Sequence, residues 1–530
     1  MKTMFRLVII LIALSLAGTA GAQTFDPTLH QKAQDYTTWL MQWHSTGLGG
    51  VSDVLFTDDA RTELLRTWGS GDSGDWTGTY LVSQAMRYQI TGEQEAYDEV
   101  ERIAEYMLLL KHITGDPGYL ARYAAPNEAP WNVESLGNDN FYEGTGEFEG
   151  YFWLGHNVRD KYITWFWAMS WSHDVLTDEA LKAQIRTDML EVIHTLHDNN
   201  WTIIDPWGAV YSAAEISPDL RLSFLAQTLH VTGDAEIEAI MDEEFEQNRI
   251  YLWLSSIAFF NLYSDYYAFI NNYSNTQPMW RYWPDRPRYE YLWQVWNFNV
   301  RQWSGDGHNP FFDGVYYQGC LRLGTCDQDE LEAIEADAYQ SLIEFNEAPN
   351  YQRQMTCTTM EIDPFSQLLV NLQETFPWLH DLFGLNFSLR TKDAHEIWDR
   401  CWCSVMWERS PYHVECSQIG DNLAHVAHGA DYLIAYWMGV YYGFLPGGGP
   451  YGDDDLTNPI DDDTVDDDTT DDDTTDDDTV DDDTTDDDTT DDDTIDDDMV
   501  DDDTTDDDDT TPADDDDDDN DDDNDDGCGC

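Results

Sequence analysis

DWTGTYLVSQAMRYQITGEQEAYDEVERIAEYMLLLKHITG, residues 75–115, contains two helices of different kinds, and that difference decides the fold. In the first, Trp76, Tyr80, Leu81, Val82, Ala85, Met86, Tyr88 and Ile90 leave little polar surface. A helix over 76–90 is therefore predicted to be buried on nearly all sides. Thr91-Gly92 stops it, because glycine takes the left-handed conformation of a helix C-terminus without steric cost. Glu93 and Glu95 follow, where the positive end of the next helix favours them. That helix carries Ala96, Val100, Ile103, Ala104 and Met107 at helical spacing, with charges between, and ends at Thr114-Gly115.

The pairing returns along the chain. Ile163, Trp165, Phe166, Trp167, Met169 and Trp171 make a helix from Tyr162 apolar nearly all round. Thr177 or Asp178 caps the next, whose Leu181, Ile185, Met189, Val192, Ile193 and Leu196 form a single stripe. Leu222 to Val231 is apolar, Thr232-Gly233-Asp234 turns, and an acidic amphipathic helix follows to about Asn248. Buried helices alternating with one-faced helices suit two concentric layers. The expectation is an all-α domain over 23–450, an (α/α)6 toroid of helical hairpins. An irregular helical domain or an open solenoid is the alternative. Tyr432 to Phe444 would close the ring, and Gly447-Gly448-Gly449-Pro450 would end the domain.

The two ends set the compartment. Lys2 and Arg6, an apolar run Leu7 to Leu16, and Ala20-Gly21-Ala22 form a signal peptide over 1–22, so the chain is expected to be secreted or held at the cell surface. No later stretch reaches the roughly 18 apolar residues of a spanning helix. Residues 451–526 form an acidic spacer whose Asp-Asp-Asp-Thr repeats cannot bury apolar surface and are expected to be disordered. No cofactor is expected beyond loose Ca²⁺ association with the tail. Gly527-Cys528-Gly529-Cys530 offers attachment through Cys528 or Cys530.

The net charge of −82 divides unevenly: 45 of the 107 acidic residues lie in 453–526, leaving 62 against 25 basic residues elsewhere. That body would repel nucleic acid and anionic lipid. Its 22 Trp, 29 Tyr and 21 Phe suit a groove where sugars stack on rings. Cys320, Cys326, Cys357, Cys401, Cys403 and Cys416 point to disulfides in an oxidising compartment. Cys320 and Cys326 flank a short loop and are the natural pair. Cys401-Trp402-Cys403 lacks the two-residue spacing of common zinc sites.

Three polar segments open or follow these helices: 72–80, with Asp72 and Asp75 in a Gly-rich loop; 156–162, with His156, Arg159, Asp160 and Lys161; and 201–208, with Asp205. Each has a plain structural reading as a cap, ion pair or turn. Asp75-Trp76-Thr77-Gly78-Thr79-Tyr80, Arg87-Tyr88-Gln89-Ile90-Thr91-Gly92 and Ile113-Thr114-Gly115-Asp116-Pro117-Gly118-Tyr119-Leu120-Ala121-Arg122 resemble poorly characterised members of the six-hairpin glycosidase superfamily. Arg159-Asp160-Lys161-Tyr162 is similar to their Ser-Arg-Asp-Gln-Tyr motif, with Val158 for Ser and Lys161 for Gln. Asn200-Trp201 to Asp205 with Gly208, Asn309-Pro310-Phe311-Phe312 and Trp407-Glu408-Arg409-Ser410-Pro411-Tyr412 look similar too. The resemblance spans roughly 60–445 and implies a six-hairpin toroid that processes glycans.

A glycosidase needs two carboxyl groups, about 5–5.5 Å apart if retaining and about 6.5–9.5 Å if inverting. The candidates are Asp75, Asp160, Glu143, Glu147, Glu149 and Asp205, with Asp160 paired to Asp75 or Glu149 as the expected acids. Trp76, Arg122, Arg159, Tyr162, His156 and Asp205 are expected around the substrate. A lyase would instead draw on His156, Tyr162 and Arg159. A non-catalytic glycan- or protein-binding surface protein on an acidic stalk is a further reading, as is a Ca²⁺-responsive tail. No serine-hydrolase elbow, phosphate loop, dinucleotide fingerprint or zinc-protease motif is present.

Overall fold

The computed structural model describes residues 24–448 except 46, 212, 256–258, 260, 325, 355–357, 379–385, 403 and 415–419. The expected signal peptide, the poly-Asp spacer with the Ca²⁺ association expected of it, and Cys528 and Cys530 lie outside the described residues.

The chain is mostly helical, 58% against 9% strand. In order, the helices are α1 (Pro27–Trp39), α2 (Ser73–Thr91), α3 (Gln94–His112), α4 (Arg159–Val175), α5 (Glu179–Asp198), α6 (Pro218–Thr232) and α7 (Ala235–Ser255). There follow α8 (Tyr267–Tyr282), α9 (Arg286–Trp296), α10 (Pro310–Leu323), α11 (Gln328–Glu344), α12 (Pro364–Thr375) and α13 (Ala430–Tyr442). Their ends follow local chemistry. Asp178 accepts the Ala180 and Leu181 N–H groups at the start of α5, and Gly92 ends α2 at φ 67°.

The helices divide as the apolar pattern predicts. Every residue of α13 is buried, as is every residue from Lys161 to Ser172 in α4. By contrast, α5 buries only a stripe: Ile185, Asp188, Met189, Val192, Ile193 and Leu196. The buried helices contact one another in the order α2, α4, α6, α8, α10, α13, and α13 returns to α2. Around them, α3 lies on α2 and α4, α5 on α4 and α6, α7 on α6, α11 on α10, and α1 on α13. The middle of this arrangement is filled, which differs from an open channel. α4 touches α8 directly. The Trp167 and Trp171 indoles both donate to Gln277 Oε1, at 2.5 and 3.2 Å, and Gln277 Nε2 donates to the Tyr442 hydroxyl at 2.7 Å.

Two small antiparallel sheets were not expected. β1 (Asp53–Phe56), β2 (Leu64–Trp68), β6 (Asn350–Gln352) and β7 (Asn422–Ala427) join in the order β2-β1-β7-β6. β3 (Tyr123–Pro126), β4 (Phe141–Glu143) and β5 (Tyr151–Leu154) join as β3-β5-β4. They have a positioning role, since β2, β5 and β7 run directly into α2, α4 and α13 and so fix where those helices begin. Cys320 and Cys326 are bridged, and Cys401 is also disulfide-bonded. Cys357, Cys403 and Cys416 lie outside the described residues. Among the described residues, no helix is long and apolar enough to cross a membrane.

Candidate active site

The starts of the buried helices surround a narrow cavity of about 30 Å³. Asp75, Trp76 and Thr79 come from α2, Thr164 from α4, Tyr267, Asn271 and Ser274 from α8, and Phe311 from α10. Trp407 and Glu408 come from the turn Met406–Glu408, His428 from the end of β7, and Asp431 from α13. Gly78 lets α2 approach α4 closely: a Cβ there would lie 2.7 Å from the Thr164 carbonyl oxygen.

That approach builds a charge cluster. The buried Lys161 ammonium meets Asp72 at 2.8 Å, Asp160 at 3.2 Å, and Asp75. Thr164 Oγ1 donates to the other Asp75 oxygen at 2.9 Å. Burial works against charge on Lys161, but Asp160, Asp72 and Asp75 outweigh it and hold the ammonium above the ordinary lysine range. Three carboxylates share this one cation. Burial pushes the Asp75 carboxyl up to about 7, with Asp160 and Asp72 adding to the rise against the pull of Lys161. For Asp72 burial is outweighed by Lys161 and Arg122, so its carboxyl falls below the usual range. Both Asp75 oxygens accept hydrogen bonds, from Lys161 and Thr164, and Asp75 is the member of the cluster that lines the cavity.

Asp431 accepts the Met406 and Tyr432 N–H groups at 2.8 and 2.9 Å, so both its oxygens hold backbone. Its carbonyl also takes the Trp407 indole N–H at 2.7 Å. These bonds anchor the turn that presents Glu408, which is half-buried on the cavity wall. Tyr267 donates to Asp160 at 3.4 Å. Burial, then Asp160, Asp75, Asp72 and Glu408, keep its phenol protonated. Trp76 Nε1 has no hydrogen-bond partner among the described residues, and His428 Nε2 has none within hydrogen-bond distance but lies 3.9 Å from the buried Asp53 carboxylate. His428 Nδ1 accepts the Ala430 N–H at 3.0 Å, which leaves the ring proton on Nε2. Burial drives its pKa well below 6.5, so the ring is neutral.

Of the expected residues, the structure brings together Asp75, Asp160, Trp76 and Arg122. Asp160 lies behind the cavity wall, on Lys161. Arg122 bonds the Gly71 and His156 carbonyls at 2.9 and 3.4 Å and lies 3.6 Å from Asp72. His156 stacks on Tyr211 with ring centroids 4.0 Å apart. The others lie elsewhere. Tyr162 is fully buried and gives its hydroxyl to the Gly118 carbonyl at 2.8 Å, which corrects its expected place against substrate. Asp205 accepts the Trp207 and Ala209 N–H groups and the Tyr211 hydroxyl, so it holds its own turn. Arg159 is exposed, and so are Glu143, Glu147 and Glu149, none of which lines the cavity.

Sequence reasoning missed Glu408 as an acid, although its motif was noted, and missed Tyr267 and His428 altogether. A signal for Glu408 existed in its aromatic setting, Trp407-Glu408. In comparisons with known proteins, no family model matches the chain and no curated protein matches it.

Proposed function

We propose that this chain is a secreted glycoside hydrolase built on an (α/α)6 toroid, with Asp75 as general acid and Glu408 as the second carboxylate. The closed order of contacts among α2, α4, α6, α8, α10 and α13 supports the toroid, and the resemblance to six-hairpin glycosidases agrees with it. The observation that carries the activity is a cavity lined by Asp75, whose carboxyl burial pushes up to about 7, and by a half-buried Glu408 beside Trp76, Phe311 and Trp407. Asp75 would protonate the leaving oxygen. Glu408 would act as nucleophile or activate water. Trp76 Nε1 and His428 Nε2 would donate to sugar hydroxyls.

Charge favours a neutral or amino sugar over a uronate. Among the described residues, no Arg or Lys lines the cavity, and Lys161 is already shared by three carboxylates. A lyase needs a cation or amide to neutralise the uronate carboxylate, and Tyr267 is pushed away from the pKa of a base.

The test is a screen of neutral, amino and uronate polysaccharides, read for new reducing ends and for unsaturated uronates. New reducing ends, lost by at least about a hundredfold in Asp75→Asn and Glu408→Gln with folding intact, are expected. Unsaturated products, or full activity in both variants, would refute the assignment.

A further inference from the structure

We infer that Trp207 is a stacking platform for a sugar ring outside the cavity, so that the substrate is a chain of several sugars rather than a terminal disaccharide. The inference rests on the glycosidase reading. Trp207 is 58% exposed, yet it is not a loose side chain. Its ring stacks on Tyr142 at 4.4 Å and 26° and lies nearly parallel to Trp153, at 6.0 Å and 4°. Tyr142 in turn stacks on Trp153 at 4.6 Å. The backbone beneath is held as firmly. Asp205 accepts the Trp207 N–H at 3.0 Å and the Tyr211 hydroxyl at 2.9 Å, tying both ends of the loop to one carboxylate.

An indole fixed this way presents a large apolar face in water at little further entropic cost on binding. A rigid, singly exposed aromatic face suits the flat C–H side of a pyranose better than it suits an extended peptide, which would need unpaired backbone groups or a longer apolar groove.

A chain of contacts joins the Trp207 loop to the Lys161 cluster. Tyr211 of the same loop stacks on His156, the His156 carbonyl takes a hydrogen bond from Arg122, and Arg122 lies 3.6 Å from Asp72 of the Lys161 cluster.

The experiment measures binding by calorimetry with gluco-, manno-, xylo- and chito-oligosaccharides of rising length, using the full chain carrying Asp75→Asn so that nothing is cleaved. In that background, Trp207→Ala should weaken the longest ligand bound by about tenfold, Trp207→Tyr should restore most of it, and the shortest ligand bound should be unaffected. Equal affinity with and without the indole overturns the platform, and so does a loss of the same size at every length. No binding of any of these probes overturns it too. The hydrolase assignment stands or falls separately, on whether Asp75→Asn removes turnover in the polysaccharide screen.

Discussion

If Asp75 holds its proton to about pH 7, folding must take up that proton, and stability must change with pH accordingly. The folded carboxyl titrates near 7 and the unfolded one near 3.9, a separation of roughly three pKa units, or about 4 kcal/mol at about 1.4 kcal/mol per unit. Because the folded value is the higher, the stabilising contribution is complete at or below about pH 4 and is lost as the pH rises to about 7. About two of those units, about 3 kcal/mol, fall between pH 5 and pH 8. Other groups titrate over the same range, Asp313 among them, which burial also raises to about 7. The useful quantity is therefore a double difference. Urea unfolding of the wild type and of Asp75→Asn at pH 5 and pH 8 should show the wild type losing about 3 kcal/mol more than the variant. At pH 8 the variant should match or exceed the wild type, since the amide carries no buried charge and Lys161 keeps Asp72 and Asp160. Parallel pH profiles would mean that Asp75 is ionised like a surface carboxylate, and the general-acid assignment would be wrong.

Lys161→Met should cost about 3–5 kcal/mol at pH 7, because it leaves Asp72, Asp75 and Asp160 without their buried cation. Lowering the pH toward 5 should recover part of that loss as the carboxylates take up protons, and a loss that did not depend on pH would show a packing effect instead. Gly78→Ala should destabilise by about 1–3 kcal/mol in urea and lower turnover together, since its Cβ must push α4 away at Thr164; unchanged values for both would show that α2 and α4 are not held at that distance. Removing the Cys320–Cys326 bridge, six residues apart, by Cys326→Ser should cost about 2 kcal/mol in a thermal or urea melt, the size of so short a loop. An unaltered melting temperature would place the closure effect elsewhere.

The helical pairs were legible because each is decided locally. Apolar residues on all sides mean burial, a single stripe means an outer position, and Gly92 and Gly233 mark the ends at φ 67° and 64°. The sheets were not legible because their strands are three to six residues long and their partners are remote: Val54 lies opposite Val426. The same distinction divides the site. Asp75 and Asp160 could be read as neighbours because both open a buried helix. Glu149 was chosen for its Gly-rich acidic loop, but that loop closes as a hairpin, with the Gly144 N–H on the Tyr151 carbonyl, and leaves Glu149 in solvent. Glu408 has no periodic element around it. The grip of Asp431 on Met406 and Trp407, from the start of α13, helps carry it to the cavity. The replacement of Gln by Lys at position 161 within the Arg-Asp motif gives the physical reason the cluster can exist. An amide there would leave Asp75 and Asp160 without a bonded cation, and Asp72 with Arg122 alone, 3.6 Å away. With the ammonium in place, Asp72, Asp75 and Asp160 gather on one buried cation, and Asp75 is the one of the three that lines the cavity.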